Sequence, residues 1–316
     1  MSPTRVAALV LMALCAGAAW LDAHSPAAGA LREKRPVWGL AALREQGRPD
    51  VVAPALYLLY HDPRRKTLDV VSLPPGVPAG PGKRTLADAY AEALPGGADA
   101  AARAMENAAA EALRAVPGWP ADASGPLFSV VVPTPASARP GSPGRTRARL
   151  AAAAADPFLW LKARPTWEGA VLTRALRAVP PEGLRAARWP APELAPAFAA
   201  YLAEGRATAD KRGVVTVEVL NAGGPPGVAL KATKVLRWAG FDVVHFGNAA
   251  APEAATSATD RVGHPEAARR ALSALGCPRA ESLTALEPSP LTMASVTVGG
   301  DFASCARLRS DAGEGD

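Results

Sequence analysis

The sequence predicts an α/β protein built from an N-terminal α/β domain, a helical middle and a small C-terminal α/β domain with helices packed on a mixed sheet. Two patterns support this prediction. Short β-branched runs alternate between apolar and polar residues, as half-buried strands do. Longer stretches repeat apolar residues at helical spacing. With 316 residues and 49% hydrophobic composition, the chain is long enough for two folded domains beside connecting segments.

The clearest pattern lies in the C-terminal part. Residues 214–220 alternate and predict a strand, and the turn residues 221–227 follow, with Pro226 in the first helical turn. The helix then presents one apolar stripe and ends at Gly240, which suits a left-handed cap. The stripe consists of Val228, Ala232, Val235, Leu236 and Ala239. Residues 241–246 predict a second strand, which we expect to be central in its sheet.

A second C-terminal helix is predicted over residues 265–275, because it begins at a proline and stops at Gly276. Residues 294–298 indicate the last strand. We expect both helices to cover one face of a small mixed sheet. This domain is predicted to span residues 211–302, and residues 303–316 are predicted to be a disordered tail.

The N-terminal domain is predicted over residues 36–133. Two strand-like runs, 55–60 and 67–72, flank a polar turn and predict a hairpin. An alanine-rich helix is expected over residues 98–116, with Met105, Ala109 and Leu113 at fourfold spacing, and residues 127–132 indicate a buried strand.

The middle of the chain separates these two domains. Residues 134–150 are rich in proline and arginine and predict a linker. Residues 151–205 are predicted to be helical, including a short amphipathic helix over 193–202. The tryptophans Trp160, Trp167 and Trp189 are interpreted as packing residues rather than a ligand cage.

Residues 1–30 predict a signal peptide or a signal anchor. Arg5 precedes the apolar run 6–21, which is long for a signal core and shorter than the roughly 20 residues of a typical spanning helix. Cleavage after Ala23 would release the protein, whereas retention would tether it to the inner membrane. Either route predicts an exported protein that works outside the cytoplasm.

The cysteine count suits an exported protein. Cys15 belongs to the N-terminal segment, which leaves Cys277 and Cys305 as a pair in an oxidising compartment. A disulfide between them is one hypothesis. The alternative is that Cys277 is a small buried hydrophobe and that Cys305 lies in a mobile tail.

The net charge and the histidine content limit which partners and cofactors are expected. The net charge is +6, but the basic residues are scattered and the basic runs are short, which favours a solvated surface over a nucleic-acid partner. The chain has 4 histidines and no His-Glu-x-x-His spacing, so we predict no metal site and no cofactor. His61, beside Asp62, is interpreted as an exposed turn residue rather than an acid or base.

The C-terminal motifs resemble a known family. The strand Val215-Thr-Val-Glu-Val-Leu-Asn221, the Gly-rich turn, the helix ending Gly240-Phe-Asp-Val243 and the strand ending Gly299-Gly-Asp301 occur in this order. They closely resemble the C-terminal domain of the LytR-CpsA-Psr cell-envelope proteins. This resemblance implies a small α/β domain with a role in the cell envelope.

The N-terminal part faintly resembles the catalytic domain of the same family. Its motifs are matched in order by Arg48-Pro-Asp50, Asp62-Pro63, Ser72-Leu-Pro-Pro-Gly76, Asp88-Ala-Tyr90 and Gly96-Gly97. Pro75 and Gly76 stand where the family has an arginine and an aspartate that grip a pyrophosphate and its metal ion. The domain is therefore interpreted as degenerate. Arg48 and Asp50 remain as a vestigial phosphate and metal site, with a surface ion pair as the alternative.

A second candidate site is the turn before the C-terminal helix. Main-chain amides at a helix N-terminus bind anions, so Asn221, Gly223, Gly224 and Gly227 are candidate ligand-binding residues. The alternative is a structural turn in which Asn221 bonds the turn backbone. Asp301 is interpreted as a helix cap or as a further binding residue.

The resemblance implies a non-catalytic, exported cell-envelope protein that takes part in cell-wall biogenesis. Its C-terminal domain would bind an envelope polymer or an envelope protein. The alternative is a magnesium-dependent phosphotransferase that attaches polyprenyl-pyrophosphate-linked glycopolymers to peptidoglycan. Such transfer needs cations at the diphosphate, which Pro75 and Gly76 do not supply.

Overall fold

A computed structural model describes residues 3–43, 49–79, 84–119, 171, 175, 178–180, 183–204, 214–278 and 280–309. These residues form two compact units. The first contains the described residues up to Arg114 and those from 171 to 184, and the second contains 115–119 and those from Arg185 onward. Across the described residues there are seven α-helices and nine strands, so the predicted α/β class is confirmed.

The first unit is built on an antiparallel sheet in the order β1-β2-β3. Its elements are α1 (Pro3–His24), α2 (Pro26–Arg32), β1 (Val37–Leu43), β2 (Ala55–Asp62), β3 (Thr67–Leu73), α3 (Leu86–Ala93) and α4 (Ala98–Arg114). Strands β2 and β3 form the predicted hairpin. Helix α4 follows its predicted stripe, since Met105, Ala109 and Leu113 are all buried.

Strand β1 was not predicted. All seven of its residues are buried, so the strand is a continuous apolar run with no alternation to mark it. Helix α3 begins with a reciprocal cap, in which the Thr85 hydroxyl accepts from the Asp88 amide and the Asp88 carboxylate accepts from the Thr85 amide. This cap fixes the start of α3 at Leu86, ten residues after Gly76.

Helix α2 begins within the predicted N-terminal segment 1–30 and packs against the first strand. Ser25 caps α2 by accepting a hydrogen bond from the Ala28 amide, and Ala27 and Ala30 pack against Val37 of β1. Helix α2 therefore belongs to the folded unit. Among the helices of the described residues, none combines the length and the apolar character that crossing a membrane requires.

The second unit is built on a mixed sheet in the order β4-β8-β7-β9-β5-β6. Its elements are β4 (Leu184–Arg188), α5 (Ala195–Glu204), β5 (Thr216–Asn221), α6 (Val228–Trp238), β6 (Asp242–Asn248), β7 (Ser257–Asp260), α7 (Pro265–Leu275), β8 (Glu281–Thr284) and β9 (Ala294–Val298). Neighbouring strands are parallel except β7 and β9. The predicted mixed sheet is thereby confirmed.

One face of this sheet is covered by α6 and α7, as predicted. Their buried residues share a core with alternate residues of the central strands, including Val217 and Val219 of β5 and Val296 and Val298 of β9. Burying each such side chain contributes about 1.5–3 kcal/mol. Gly240 and Gly276 have φ of +86° and +69°, which confirms both left-handed caps.

Three details of this unit differ from the predictions. Strand β6 is not central but lies at the sheet edge, because β9 returns from far along the chain to pair with the other side of β5. Of its seven residues only Val243 is buried. Helix α6 starts at Val228 with Gly227 as its N-cap, so Pro226 precedes the helix, and Ala239 lies after it and is exposed.

The middle and the tail also need correction. Strand β4 occupies part of the predicted helical stretch 151–205, because Leu184–Arg188 pairs with β8 although it lacks β-branched residues. Helix α5 confirms the predicted amphipathic helix, with Phe198, Tyr201 and Leu202 buried. The predicted tail does not start at 303, since Cys305 and Leu308 are buried. The predicted linker 134–150, the strand over 127–132, Trp160 and Trp167 lie outside the described residues.

Candidate functional site

Three loops meet at the carboxyl ends of the parallel strands β5, β6 and β9. The Ala222 amide donates to the Val298 carbonyl (2.8 Å), and the Ala249 amide donates to the Asn221 carbonyl (2.8 Å). The Gly300 amide donates to the Glu253 carbonyl (3.0 Å). The loops after β5, β6 and β9 are thus joined by main-chain hydrogen bonds at the sheet edge where α/β proteins commonly bind ligands.

Asn221 holds the first of these loops together. Its side-chain oxygen accepts from the amides of Gly223 (3.3 Å) and Gly224 (2.8 Å), and its side-chain nitrogen donates to the Gly224 carbonyl (3.1 Å). Two of the amides that were candidates for an anion are therefore already bonded within the loop. This geometry favours the structural turn over the ligand-binding loop.

Glycine is required at Gly223 by space. A Cβ atom there would lie 2.5 Å from the Gly300 nitrogen and 2.8 Å from the Glu253 oxygen, both main-chain atoms. The loop after β5 therefore packs against the loop after β9 at backbone distance. Gly227 is required by conformation, since its φ of +88° lies in the left-handed region.

Asp301 acts differently from the predicted cap. Its carboxylate accepts from the Thr256 amide (2.6 Å) and the Thr256 hydroxyl (2.7 Å), and it makes no side-chain bond to the short helix that follows it. The Thr256 hydroxyl in turn accepts from the Gly299 amide (3.1 Å). Asp301 therefore ties the end of β9 to the start of β7. Sequence analysis did not single out Thr256, which lies 45 residues before Asp301.

Replacing Asn221 by alanine is expected to lower the free energy of unfolding by about 1–2 kcal/mol, because the Gly223 and Gly224 amides lose their acceptor. Amide hydrogen exchange of the full chain in guanidinium measures this change in peptides that cover residues 216–248. The matched control is Asn248→Ala, an exposed asparagine at the end of β6, for which we expect less than about 0.5 kcal/mol. Equal effects of the two substitutions would contradict the structural role of Asn221.

A buried carboxylate that sequence analysis missed lies at the end of β7. Asp260 accepts from the amides of Val262 (3.1 Å) and His264 (2.9 Å) and from the Thr284 hydroxyl (3.1 Å). Its place just before the proline-started helix α7 was the available signal. Burial raises the pKa of Asp260 above its ordinary value, and these hydrogen bonds only partly offset it.

The raised pKa of Asp260 predicts a pH dependence. Because the folded state holds this proton more tightly, the stabilisation is fully present below the ordinary value of 3.8 and is lost as pH rises through the folded-state pKa. Asp260→Asn cannot ionise and keeps one oxygen acceptor. We expect wild type to lose stability relative to this variant as pH rises above about 4. Denaturant melts across pH measure the difference, and a difference that does not change with pH would contradict the prediction.

The structure describes only one of the two residues of the predicted vestigial phosphate site. Arg48 lies outside the described residues. The Asp50 carbonyl accepts from the Tyr90 hydroxyl (2.7 Å), and Asp50 itself is exposed. Pro75 and Gly76 lie in the turn after β3, where the Pro75 carbonyl accepts from the Ala87 amide (2.9 Å). Within the described residues there is no cluster of three or more potential metal ligands.

His61 lies in β2 and is buried, not exposed in a turn as predicted. Burial lowers the pKa of His61, which outweighs the opposite effects of the Thr67 carbonyl and of Asp62. The ring is therefore neutral at neutral pH and donates from Nδ1 to Thr67 (2.9 Å). This hydrogen bond closes the hairpin and gives His61 a structural role.

The face of the second sheet opposite α6 and α7 carries a polar network. The Ser295 hydroxyl donates to Glu218 (3.2 Å) and accepts from Arg261 (3.3 Å), and Arg261 also pairs with Glu287. His245 lies 4.0 Å from Glu218 and is exposed. Within this network Arg261 and Glu287 form an ion pair, and the Glu218 carboxylate is held by the Ser295 hydroxyl.

A disulfide bond joins Cys277 and Cys305. Cys277 follows the cap of α7, and Cys305 ends the short helix Phe302–Ser304, so the bond fastens the end of the domain to α7. Main-chain hydrogen bonds from Ala306 to Gly276 (2.8 Å) and from Arg307 to Leu275 (3.2 Å) run beside it. The alternative of a buried thiol and a mobile tail does not describe this structure.

The part of the second unit that contains this strand, turn and helix matches a known protein family. Residues 214–302 match the model of a protein family described as LytR cell envelope-related transcriptional attenuator. The chain contains a LytR C-terminal domain. The resemblance inferred from the motifs of residues 211–302 is thereby confirmed, and the domain implies a cell-envelope-related role.

The match has clear bounds. The LytR C-terminal domain contains β5 to β9, α6 and α7, whereas residues 36–133 are not part of the match. The resemblance of that N-terminal part to a catalytic domain therefore stays a prediction. Neither a curated protein nor a solved structure matches the chain.

Proposed function

We propose that this chain is an exported, non-catalytic cell-envelope protein whose LytR C-terminal domain binds a component of the envelope during cell-wall biogenesis. The N-terminal segment would direct export and, where it is retained, tether the protein to the inner membrane. The family match supports the envelope role, because the LytR C-terminal domain is typical of extracytoplasmic envelope proteins.

The observation that most favours a non-catalytic role is the turn at Pro75 and Gly76. Phosphoryl transfer from a lipid pyrophosphate requires cationic groups or a magnesium ion at the diphosphate. Neither proline nor glycine has a side chain that could supply them. Arg84, in the segment that follows this turn, pairs with Glu92 (2.6 Å).

The disulfide supports the proposed compartment. Disulfide bonds persist in oxidising spaces outside the cytoplasm and are rare inside it. Cys277 and Cys305 are both buried, so their pairing is part of the core of the LytR C-terminal domain. A protein with this feature is suited to work outside the inner membrane.

The proposal is tested by capture from solubilised envelopes with the full chain as bait. We expect the wild-type chain to recover an envelope polymer or an envelope protein, and a Gly299→Ala chain, in which the loop junction of the domain is disrupted, to recover neither. No recovery by the wild-type chain would contradict the binding role.

A transfer assay tests the enzymatic alternative. It uses a fluorescent polyprenyl-pyrophosphate-linked glycan, magnesium and peptidoglycan, and we expect no product. Turnover by the wild-type chain that disappears in an Arg48→Ala variant would overturn the non-catalytic proposal.

A further inference from the structure

The outer face of α6 combines exposed cations with an exposed tryptophan. Leu230, Lys234, Arg237 and Trp238 fall at i, i+4, i+7 and i+8, opposite the residues that pack into the core. Trp238 is 84% exposed and Leu230 is 44% exposed. We call these four residues and the adjacent Lys231 the α6 outer face. An aromatic side chain this exposed contributes little to the core, so the stability of the domain does not account for it.

Among the described residues, no acid forms an ion pair with the cations of the α6 outer face. Helix α6 contains Lys231, Lys234 and Arg237 and no acidic residue. Lys231 donates to the Arg309 carbonyl, and Arg237 donates to the Val243 carbonyl (2.8 Å). These hydrogen bonds orient the two side chains, but a carbonyl has no net charge and does not neutralise them. Lys234 makes neither a hydrogen bond nor an ion pair with the described residues.

Two other cations of the LytR C-terminal domain are paired with acids, whereas Arg270 lies over the Phe241 ring. Arg261 pairs with Glu287, and Arg269 pairs with Glu266 (3.1 Å). Asp242, an exposed acid four residues after Trp238, can offset one of the three charges. The α6 outer face is therefore a local positive patch that attracts anions.

The dimensions of the α6 outer face favour a chain-like ligand. Leu230 and Trp238 are eight residues apart, about 12 Å along a helix. A stable protein interface buries about 800 Å² on each partner, which is more than one face of a short helix offers. A single extended polymer needs only a narrow strip of this kind.

We propose that the α6 outer face binds an anionic glycan. Trp238 stacks on the apolar face of a sugar ring, while Lys231, Lys234 and Arg237 contact the carboxylate or phosphate groups of the polymer. The guanidinium of Arg237 has five donors, so its bond to Val243 leaves others for the ligand. This inference rests on the proposed envelope-binding function and specifies its ligand class and its residues.

Three defined polymers separate the contributions of ring and charge. Polygalacturonate has charged sugar rings, dextran has neutral rings, and poly(ribitol phosphate) has charges without rings. We expect calorimetry on the full chain to show binding of polygalacturonate that weakens as salt is raised, and at least about tenfold weaker binding of dextran. Trp238→Ala and Lys234→Glu should each weaken polygalacturonate binding about tenfold, and Trp238→Ala should leave binding of poly(ribitol phosphate) unchanged.

Matched controls test whether the effect is local. Trp20→Ala removes another exposed tryptophan and Arg103→Glu reverses another exposed helical cation, and both should bind like wild type. Because Asp311, Glu314 and Asp316 follow Arg309 in sequence, a chain ending at Arg309 is measured in parallel. If neither chain binds polygalacturonate, or if the controls weaken binding as much as the α6 variants, the inference is overturned.

The inference and the proposed function fail in different ways. If the wild-type and Trp238→Ala chains recover the same envelope polymer equally well, the α6 outer face is not the site and the envelope-binding function stands. If the wild-type chain recovers only an envelope protein, the glycan assignment is overturned. If it recovers no envelope component, the proposed function itself fails.

Discussion

Replacing Cys277 and Cys305 together by alanine is expected to lower the free energy of unfolding of the LytR C-terminal domain by about 3–4 kcal/mol. The two cysteines are 28 residues apart in sequence, so their bond restricts the unfolded chain considerably. Alanine is chosen over serine because both sites are buried and a hydroxyl there would need a partner. A loss of this size is a large share of the stability of a typical domain.

Without the disulfide bond, only non-covalent contacts hold the segment around Cys305. The segment around Cys305 is still held by the hydrogen bonds to Gly276 and Leu275 and by the buried side chain of Leu308. These contacts are close to the chain terminus of the domain, so they should open together without the covalent bond. We therefore expect the amides of residues 302–309 to lose protection first.

Hydrogen exchange of the full chain in guanidinium measures this effect. Wild-type protein under a reducing agent should behave like the double variant, and Cys15→Ser, which replaces an exposed cysteine of α1, should behave like wild type. A loss below about 1 kcal/mol would show that the disulfide does not stabilise the domain as proposed.

The elements that could be predicted from sequence are those with local signals. Helix α7 is bounded by Pro265 and Gly276, and the β2–β3 hairpin is bounded by its polar turn, so each is specified within a short segment. The missed strands β7 and β8 have four residues each, too few for a periodic pattern. Their formation depends on neighbours that are distant in sequence.

The edge position of β6 shows the same limit. Its sequence suits a strand, but its place in the sheet is decided by β9, which pairs with β5 across 77 residues of chain. A bulge between Val217 and Glu218 also shifts the register of the β5–β6 pair. Neither the edge position nor the bulge can be predicted from the sequence of β6 alone.

In the candidate site, too, contacts between residues close in sequence could be predicted, and most contacts between distant residues could not. The turn formed by Asn221 was predicted because asparagine bonds to residues that follow it closely. The contact between Asp301 and Thr256 joins distant residues. The α6 outer face is defined by the exposure of Trp238 and by cations that form no ion pair within the described part of the chain, and neither property can be read from the sequence. The pairing of Cys277 with Cys305 was accessible because only two cysteines remain after the N-terminal segment.

Gly299→Ala is expected to destabilise the LytR C-terminal domain by more than about 3 kcal/mol. A Cβ atom at this position would lie 2.5 Å from the carbonyl oxygen of Ala255 and 2.8 Å from its nitrogen. Both are main-chain atoms, so no side-chain rotation can relieve the clash. The amide of Gly299 itself donates to the Thr256 hydroxyl, which in turn donates to Asp301. Any shift of the backbone at residue 299 therefore weakens both hydrogen bonds.

The adjacent glycine is the matched control for this substitution. At Gly300 the nearest atom to an added Cβ is the Ala254 oxygen at 3.6 Å, which is an ordinary contact. Gly300→Ala should therefore change stability by less than about 1 kcal/mol, in either direction. Denaturant-dependent hydrogen exchange in β5 and β9 compares the two variants in the full chain. Because they differ by one position in the same loop, equal stabilities would show that the loops after β6 and β9 are not packed at backbone distance.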